Sequence, residues 1–323
     1  MMRIAVAGGG GLGYLLATQL SRAASAHNVV VLSRTTRPEF TQYDVQVHVV
    51  DYNDADRLRF ALQGIDLVIS TISGREQLNL INAAGHGRVR VFVPSEFEGS
   101  LGHRPPHNDA LDRGSAAALD HLKWWAQHSR MRYTIFSCGI FMERFHPHGL
   151  GYLNIGRGCG ISNAGDYLVN INTALAEYPE RDSKGRPVRV CMSSVYDVVR
   201  FLVSAVDLGT DKWPSEFTMR GDRMSLKELV DVCSSVRNVA FQRHVRSVAD
   251  LQLFLNRYAL AGDAHRVAYY HRLLATATGR YDFSRATLNE AIERSDQVEF
   301  QPLKLRQWLT NMIWSQAAET GRR

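Results

Sequence analysis

Cysteine is scarce in this chain: only Cys138, Cys159, Cys191 and Cys233, standing 21, 32 and 42 residues apart. That spacing holds no C-x-x-C pair and no Cys/His cluster, so it indicates neither a zinc site nor a disulfide framework. Reduced thiols, and with them a cytoplasmic setting, are the expectation. Runs of like charge are missing too. The 38 Lys and Arg against 32 Asp and Glu leave +6, spread along the chain without a basic block, so no nucleic-acid partner is expected. No apolar segment approaches the roughly 20 residues of a membrane span, so no membrane partner is expected. Met1-Met2-Arg3 with the apolar residues behind it superficially resembles a signal peptide, but five glycines at positions 8–13 interrupt the supposed apolar core. There is no internal repeat and no low-complexity segment. What remains is a globular chain of 323 residues, long enough for one large or two intimately joined domains. A small-molecule partner, with the chain as monomer or homodimer, is the expectation.

What is present begins with glycine. Residues Arg3–Leu20 read RIAVAGGGGLGYLLATQL. Gly8, Gly10 and Gly13 stand as G-x-G-x-x-G, with Gly11 and Leu12 inside the turn. An apolar run enters the motif and a helical pattern leaves it, which is the context a dinucleotide site requires. Pyrophosphate oxygens must reach backbone N–H groups at a helix N-terminus, and side chains there would be in the way. The next apolar run, His27–Thr35 (HNVVVLSRT), reads as a buried strand. It ends in Ser33-Arg34, 24 residues after Gly10, with Arg37 close behind. An acidic residue at that place would read a free ribose 2′-hydroxyl, whereas a guanidinium suits a 2′-phosphate. The spacing therefore predicts NADP(H) rather than NAD, a solvated surface arginine being the plainer meaning.

The alternation continues. Strands are predicted at Val45–Val50, Asp66–Thr71, Val89–Val93 and Tyr133–Cys138, with helices over Ala55–Gln63, Gln77–Ala84 and within Asp109–Gln127. Strands separated by helices at this spacing imply an α/β fold, a Rossmann doubly wound parallel sheet, with ligands beyond the carboxyl ends of the strands. Residues 1–150 are expected to form this domain. Residues 151–323 should form a smaller, mostly helical substrate region, with 187–222 returning to the Rossmann sheet. His146–Asp166 reads as a loop or short hairpins. Pro187–Met192 and Phe217–Asp222 read as strands, Ser194–Asp207 and Ser225–Val236 as helices, and Glu299–Pro302 as a closing segment. Arg266–Arg272 (RVAYYHR) is basic and aromatic, and a helix with a solvated basic face is its commoner meaning.

Several segments together resemble the NmrA-like and isoflavone-reductase-like branch of the atypical short-chain dehydrogenases, the fungal members above all. They are IAVAGGGGLG at 4–13, the Ser33-Arg34 ending, GIDLVISTIS at 64–73, VFVPSEF at 91–97, YTIFSCGIFMERF at 133–145 and SSVYDVVRFLVSAVD at 193–207. The resemblance implies NADP(H) in a cleft between a Rossmann domain and a C-terminal substrate domain. Carried over by position, Gly8, Gly10 and Gly13 would hold the pyrophosphate, and Ser33 and Arg34 the 2′-phosphate. Asp51 with Tyr52 would flank the adenine, and Thr71 and Ile72 would line the ribose. Ser95, Glu96 and Phe97 would sit near the nicotinamide, facing Gly139, Ile140 and Phe141. Phe97, Leu119, Phe141, Met142, His146 and Tyr152 are the candidates for substrate contact.

One departure bears on chemistry. Reductases of this family keep a lysine about fourteen residues before the tyrosine of the YT[IYV] strand, and here that position is Leu119. A leucine transfers no proton. His121 and Lys123 follow it, and Lys123, one helical turn on, is the better replacement. Glu96 reads either as a catalytic acid or as a structural carboxylate. Three functions fit. The first is an NADP(H)-dependent oxidoreductase of secondary, alkaloid-like metabolism, passing hydride to or from a C=N, C=C or C=O bond of a small apolar substrate. Without the lysine, an iminium is attractive because it needs no proton at hydride transfer. The others are an NADP(H)-assisted cyclase and a non-catalytic NADP-sensing regulator.

Overall fold

The computed structural model describes residues 2–23, 25, 27–105, 108–157, 160–295 and 300–320, with side chains up to 313. Gly158 and Cys159 of the expected loop, and Glu299 of the expected closing segment, lie outside the described residues.

Six parallel strands form the central sheet: β1 (Arg3–Ala7), β2 (Asn28–Ser33), β3 (Gln46–Val49), β4 (Leu67–Ser70), β5 (Val91–Val93) and β6 (Arg132–Tyr133). Their order is β3-β2-β1-β4-β5-β6, so strand order reverses between β1 and β4. Ligands in such sheets bind at that switch point. The helices between the strands are α1 (Leu12–Ser21), α2 (Ala55–Ala61), α3 (Arg75–His86) and α4 (Ser115–His128).

The strand sequences explain the layering. Successive residues of a strand face opposite sides of the sheet. Ile4 and Val6 join the core under α1, and Ala5 and Ala7 join the core under α2, α3 and α4. Both faces are therefore apolar, which is why these strands read as continuous hydrophobic runs.

After Tyr133 the chain steps out of this sheet. The expected strand Tyr133–Cys138 is split at Thr134 into β6 and β7 (Ile135–Ser137). Thr134 still donates its N–H to Phe92 O, while Ile135 turns to Ser215 O. β8 (Ile140–Phe141) follows. Farther on come β9 (Val169–Asn170), β10 (Leu175–Pro179), β11 (Arg189–Ser193), β12 (Glu216–Thr218), β13 (Asp222–Ser225) and β14 (Gln242–Arg246). The helices of this half are α5 (Val195–Asp207), α6 (Leu226–Arg237), α7 (Val248–Leu260), α8 (Ala264–Ala277), α9 (Thr287–Glu293) and α10 (Leu305–Thr320). Among the described residues no helix is long and apolar enough to cross a membrane.

The stretch 187–222 divides. β12 pairs parallel with β7 in a two-stranded sheet apart from the six-stranded one, and β11 lies between β13 and β8 in another small sheet. The expectation that 187–222 returns to the Rossmann sheet is corrected accordingly. The strand expected over Phe217–Asp222 is likewise two strands, since Met219 and Gly221 turn the chain between Ser137 O and Met192 O. A third sheet, β14-β10-β9, was not anticipated. α5 packs on α1 in the Rossmann core, whereas α6, α7, α8 and α10 contribute to a second core with β10 and β11. Helix starts follow ordinary capping chemistry: the Ser194 hydroxyl accepts from Asp197 N, and Ser225–Glu228 and Ser247–Asp250 form capping boxes.

Candidate active site

The glycine turn shows which of its glycines are structural. Gly8 has φ of +100°, and a Cβ there would stand 2.4 Å from Thr71 Oγ1. A Cβ on Gly13 would stand 2.0 Å from Gly8 O. Both positions are needed for α1 to pack closely against β1 and β4. Gly10 is different: a Cβ there meets nothing within 4 Å, and Gly10 with Leu12 opens onto a cleft. α1 has no side-chain N-cap bond and no acidic residue in its first turn. Its leading N–H groups therefore offer positive potential and free donors to an anion. The turn fits a dinucleotide pyrophosphate.

At the end of β2, Ser33 is buried, with its hydroxyl accepting from Thr35 N and, at 3.4 Å, from Arg37 Nε. The Arg37 side chain lies over Gly9, and Arg34 reaches across to Glu76 at 3.2 Å. Two guanidiniums thus flank the place where a 2′-substituent is read. Arg37, noted in the sequence but not assigned to the site, belongs with Ser33 and Arg34. Asp51 is exposed and caps its own turn through Asn53. Tyr52 does not flank the adenine as expected. Its ring is 2% exposed in the core, and its hydroxyl donates to Leu32 O at 2.8 Å. An aromatic after a strand serves core and ligand equally well in sequence, and here the core takes it.

The cleft has a volume of about 440 Å³. Thr71 and Ile72 line it after β4, and Ser95, Glu96 and Phe97 after β5. The Thr71 hydroxyl donates to Ala7 O at 2.8 Å, tying β4 to β1 just below the glycine turn. Gly139, Ile140 and Phe141 form another wall. Gly139 has φ of +72°, and a Cβ there would lie 2.2 Å from Cys191 O, so no other residue fits. Leu150, residues 154–157 and Ile161 cover the turn, with Asn154 O only 2.7 Å from where a Gly11 Cβ would be.

Glu96 is 5% exposed and accepts from Arg104 Nη1 at 2.7 Å. Burial raises its pKa, while the Arg104 charge and hydrogen bonding from Ser115 oppose the rise. Ser115, the first residue of α4, itself lines the cleft. Glu96 therefore both ties down the loop and touches the cleft.

Three candidates on α4 are corrected. Leu119 is half-buried and does not line the cleft; Ser115, one turn earlier, does. His121 Nδ1 pairs with Asn82 Oδ1 at 3.2 Å on α3. Lys123 is exposed and away from the cleft lining. Counting back from Tyr133 placed the reactive position too far along the helix, because α4 enters the cleft only by its N-terminus. The substrate candidates also change. Met142 is fully buried in the second core. His146 and Tyr152 stack on each other at 4.0 Å and do not line the cleft. Burial holds the His146 pKa down at about 4, so it is neutral at physiological pH. Residues unassigned in the sequence take their place: Ser115, Arg113, Arg144, Arg272 and Tyr281. The only signal for Arg272 was its position beside Tyr270 and Leu273, which puts a cation at the edge of an apolar helix stripe.

With this geometry in hand, comparison with known proteins is informative. A family model described as NAD(P)H-binding matches residues 8–154. The oxidoreductase BOA1 of Botryotinia fuckeliana is 32% identical over 254 residues, covering 73% of this chain and 76% of that protein. The isoflavone reductase homolog A622 of Nicotiana glauca is 32% identical over 164 residues, 45% of this chain and 51% of its own length. Among solved structures, the NADPH-dependent quinone oxidoreductase QOR2 from Escherichia coli, complexed with NADPH, superposes with a TM-score of 0.66 at 16% identity, over 96% of this chain and 99% of that one.

Proposed function

The chain belongs to the NAD(P)H-binding, isoflavone-reductase-like oxidoreductases, and from that premise we propose an NADP(H)-dependent reductase of a small carbonyl or conjugated-alkene compound of secondary metabolism. The observation that carries this is Gly10, left open onto the same cleft that Glu96 and Ser115 line. Preference for the phosphorylated cofactor is supported by Arg34 and Arg37 around Ser33, with no carboxylate ending β2.

When bound, the reduced cofactor supplies a hydride. The chain must then manage charge and proton. No lysine lines the cleft among the described residues. Ser115 is the cleft hydroxyl positioned to hydrogen-bond a substrate oxygen. Glu96, ion-paired with Arg104, is its buried hydrogen-bond partner and holds it in place. The proton that completes the reduction would come from solvent. The lining also bears on the bond reduced. Its carboxylates are already ion-paired: Glu76 with Arg34, Glu96 with Arg104, and Glu98 with Arg104 and Arg280. A cationic iminium would find no free negative charge there. A C=O or conjugated C=C bond, which develops negative charge on reduction, suits this lining better. An alkaloid-like C=N compound fits it only with an anionic group of its own.

Titration of nucleotide fluorescence tests the reading. NADPH should bind at least about tenfold more tightly than NADH, and the Arg34→Ala/Arg37→Ala double variant should remove most of that difference. Equal affinity for the two cofactors, or binding of neither, would overturn it.

A further inference from the structure

Four buried or nearly buried arginines surround the far wall of the cleft, and their partners differ. Arg280 is 2% exposed and holds Glu98 at 2.6 Å and Asp109 at 2.7 Å. Arg104 holds Glu96 at 2.7 Å and Glu98 at 3.2 Å. Those two account for the acids of this wall. Arg144 and Arg272, which both line the cleft, are 9% and 3% exposed. Among the described residues neither forms an ion pair with a carboxylate, and Arg144 Nη2 and Arg272 Nε are buried without a hydrogen-bond partner.

What these two guanidiniums do touch is not a counter-charge. Arg144 stacks 4.1 Å over the Tyr167 ring. Arg272 Nη2 donates weakly, at 3.4 Å, to the backbone oxygen of Asp166. The Asp166 carboxylate faces His265 at 3.6 Å through Oδ1, and its charge favours both arginines from nearby without a direct ion pair to either. Burial lowers the pKa of both arginines, and for Arg272 the Arg144 charge adds to that. A buried cation without a paired anion is costly to keep, and a second one beside it more so. A planar guanidinium is the side chain best matched to a carboxylate, which it holds by two parallel hydrogen bonds.

We infer that the substrate carries a carboxylate, held by Arg144 and Arg272 beside Tyr281, with its apolar body against Phe97 and Phe141. This rests on the reading of the cleft as a reductase site. It adds an anionic group to the small, largely apolar substrate expected from sequence. It also gives the reaction its orientation, because an acid anchored at this wall fixes which bond of the compound faces the nucleotide.

The test uses protein saturated with NADP⁺ and two probes, 3-phenylpropanoate and its methyl ester, followed by calorimetry. Nucleotide binding is measured first; its failure would count against the reductase reading, not against the arginine pair. With nucleotide bound, the acid should bind at least about tenfold more tightly than the ester. Arg144→Met and Arg272→Met should each weaken the acid by a similar factor while leaving NADP⁺ affinity unchanged, and Arg144→Lys should restore part of the loss. Inorganic phosphate should compete weakly. Equal binding of acid and ester, no saturable binding of the acid at millimolar concentration, wild-type affinity in both Met variants, or phosphate binding tighter than the acid would each overturn the inference.

Discussion

At the glycine turn the cleft is walled by backbone from one short stretch, residues 8–13, with Thr71 behind it, whereas beside Tyr281 its walls are arginine side chains drawn from segments between residues 113 and 272. The first region binds by absence: Gly10 leaves a space, and the start of α1 leaves donors uncapped. The second would bind by surplus, two guanidiniums with one nearby carboxylate, Asp166, and no direct ion pair, while Glu96, Glu98 and Asp109 are held by Arg104 and Arg280. The difference teaches that one cleft can meet two anions by opposite means. A cofactor's phosphate is received by helix and backbone, and a substrate's acid by side chains that a different substrate would not need.

The largest effect that would sharpen this contrast lies within the arginines themselves. Arg280→Met should cost about 3 kcal/mol or more in denaturant unfolding, because it strands Asp109 without its cation and leaves Glu98 with Arg104 alone. Arg144→Met, which strands no carboxylate, should cost far less in ligand-free protein or even raise the melting temperature. Equal destabilisation by both would break the distinction between paired and unpaired cations. Next in size, Gly10→Ala should weaken NADPH by about a hundredfold, close to 2.7 kcal/mol, with an unchanged melting temperature, since the new Cβ enters the cradle and meets no protein atom within 4 Å. A variant that unfolds instead would show Gly10 to be structural like Gly13.

A separate, pH-dependent effect concerns Glu143, next to Arg144 in sequence and fully buried, where burial pushes the carboxyl up from 4.5 to about 8. The folded chain holds this proton where the unfolded chain releases it. Its stabilising share is therefore complete below pH 4.5 and is lost as pH rises toward 8. Glu143→Gln, which keeps an acceptor for Val195 N, should leave stability near pH 4 almost unchanged. Near pH 8.5 it should raise stability by several kcal/mol, on the order of 4. A pH-independent difference in chemical denaturation would remove Glu143 as the titrating group.

Most of the Rossmann half was legible in the chain because its signals are local. Gly8, Gly10 and Gly13 mark the turn, alternate residues of β1 serve two cores, and Ser33-Arg34 ends the strand where the ribose is read. Tyr52 was misassigned because burial and ligand contact make the same demand on an aromatic side chain. His121 and Lys123 were misassigned because counting residues along a helix does not say which end of that helix reaches the cleft. The split of 187–222 between two sheets was hidden for a related reason: strand propensity names no partner.

The sequence by itself determined the strand order's raw material, the glycine cradle and the arginine that follows the second strand, since each is written within a few neighbouring residues. Only the tertiary structure decided that Ser115 rather than Leu119 or Lys123 meets the cleft, and that Arg144 and Arg272 converge there without a direct ion pair among the described residues. Whether an arginine is paired depends on residues far away in the chain. In this fold Glu98 and Asp109 are already held by Arg280, and that allocation exists only once the chain is folded.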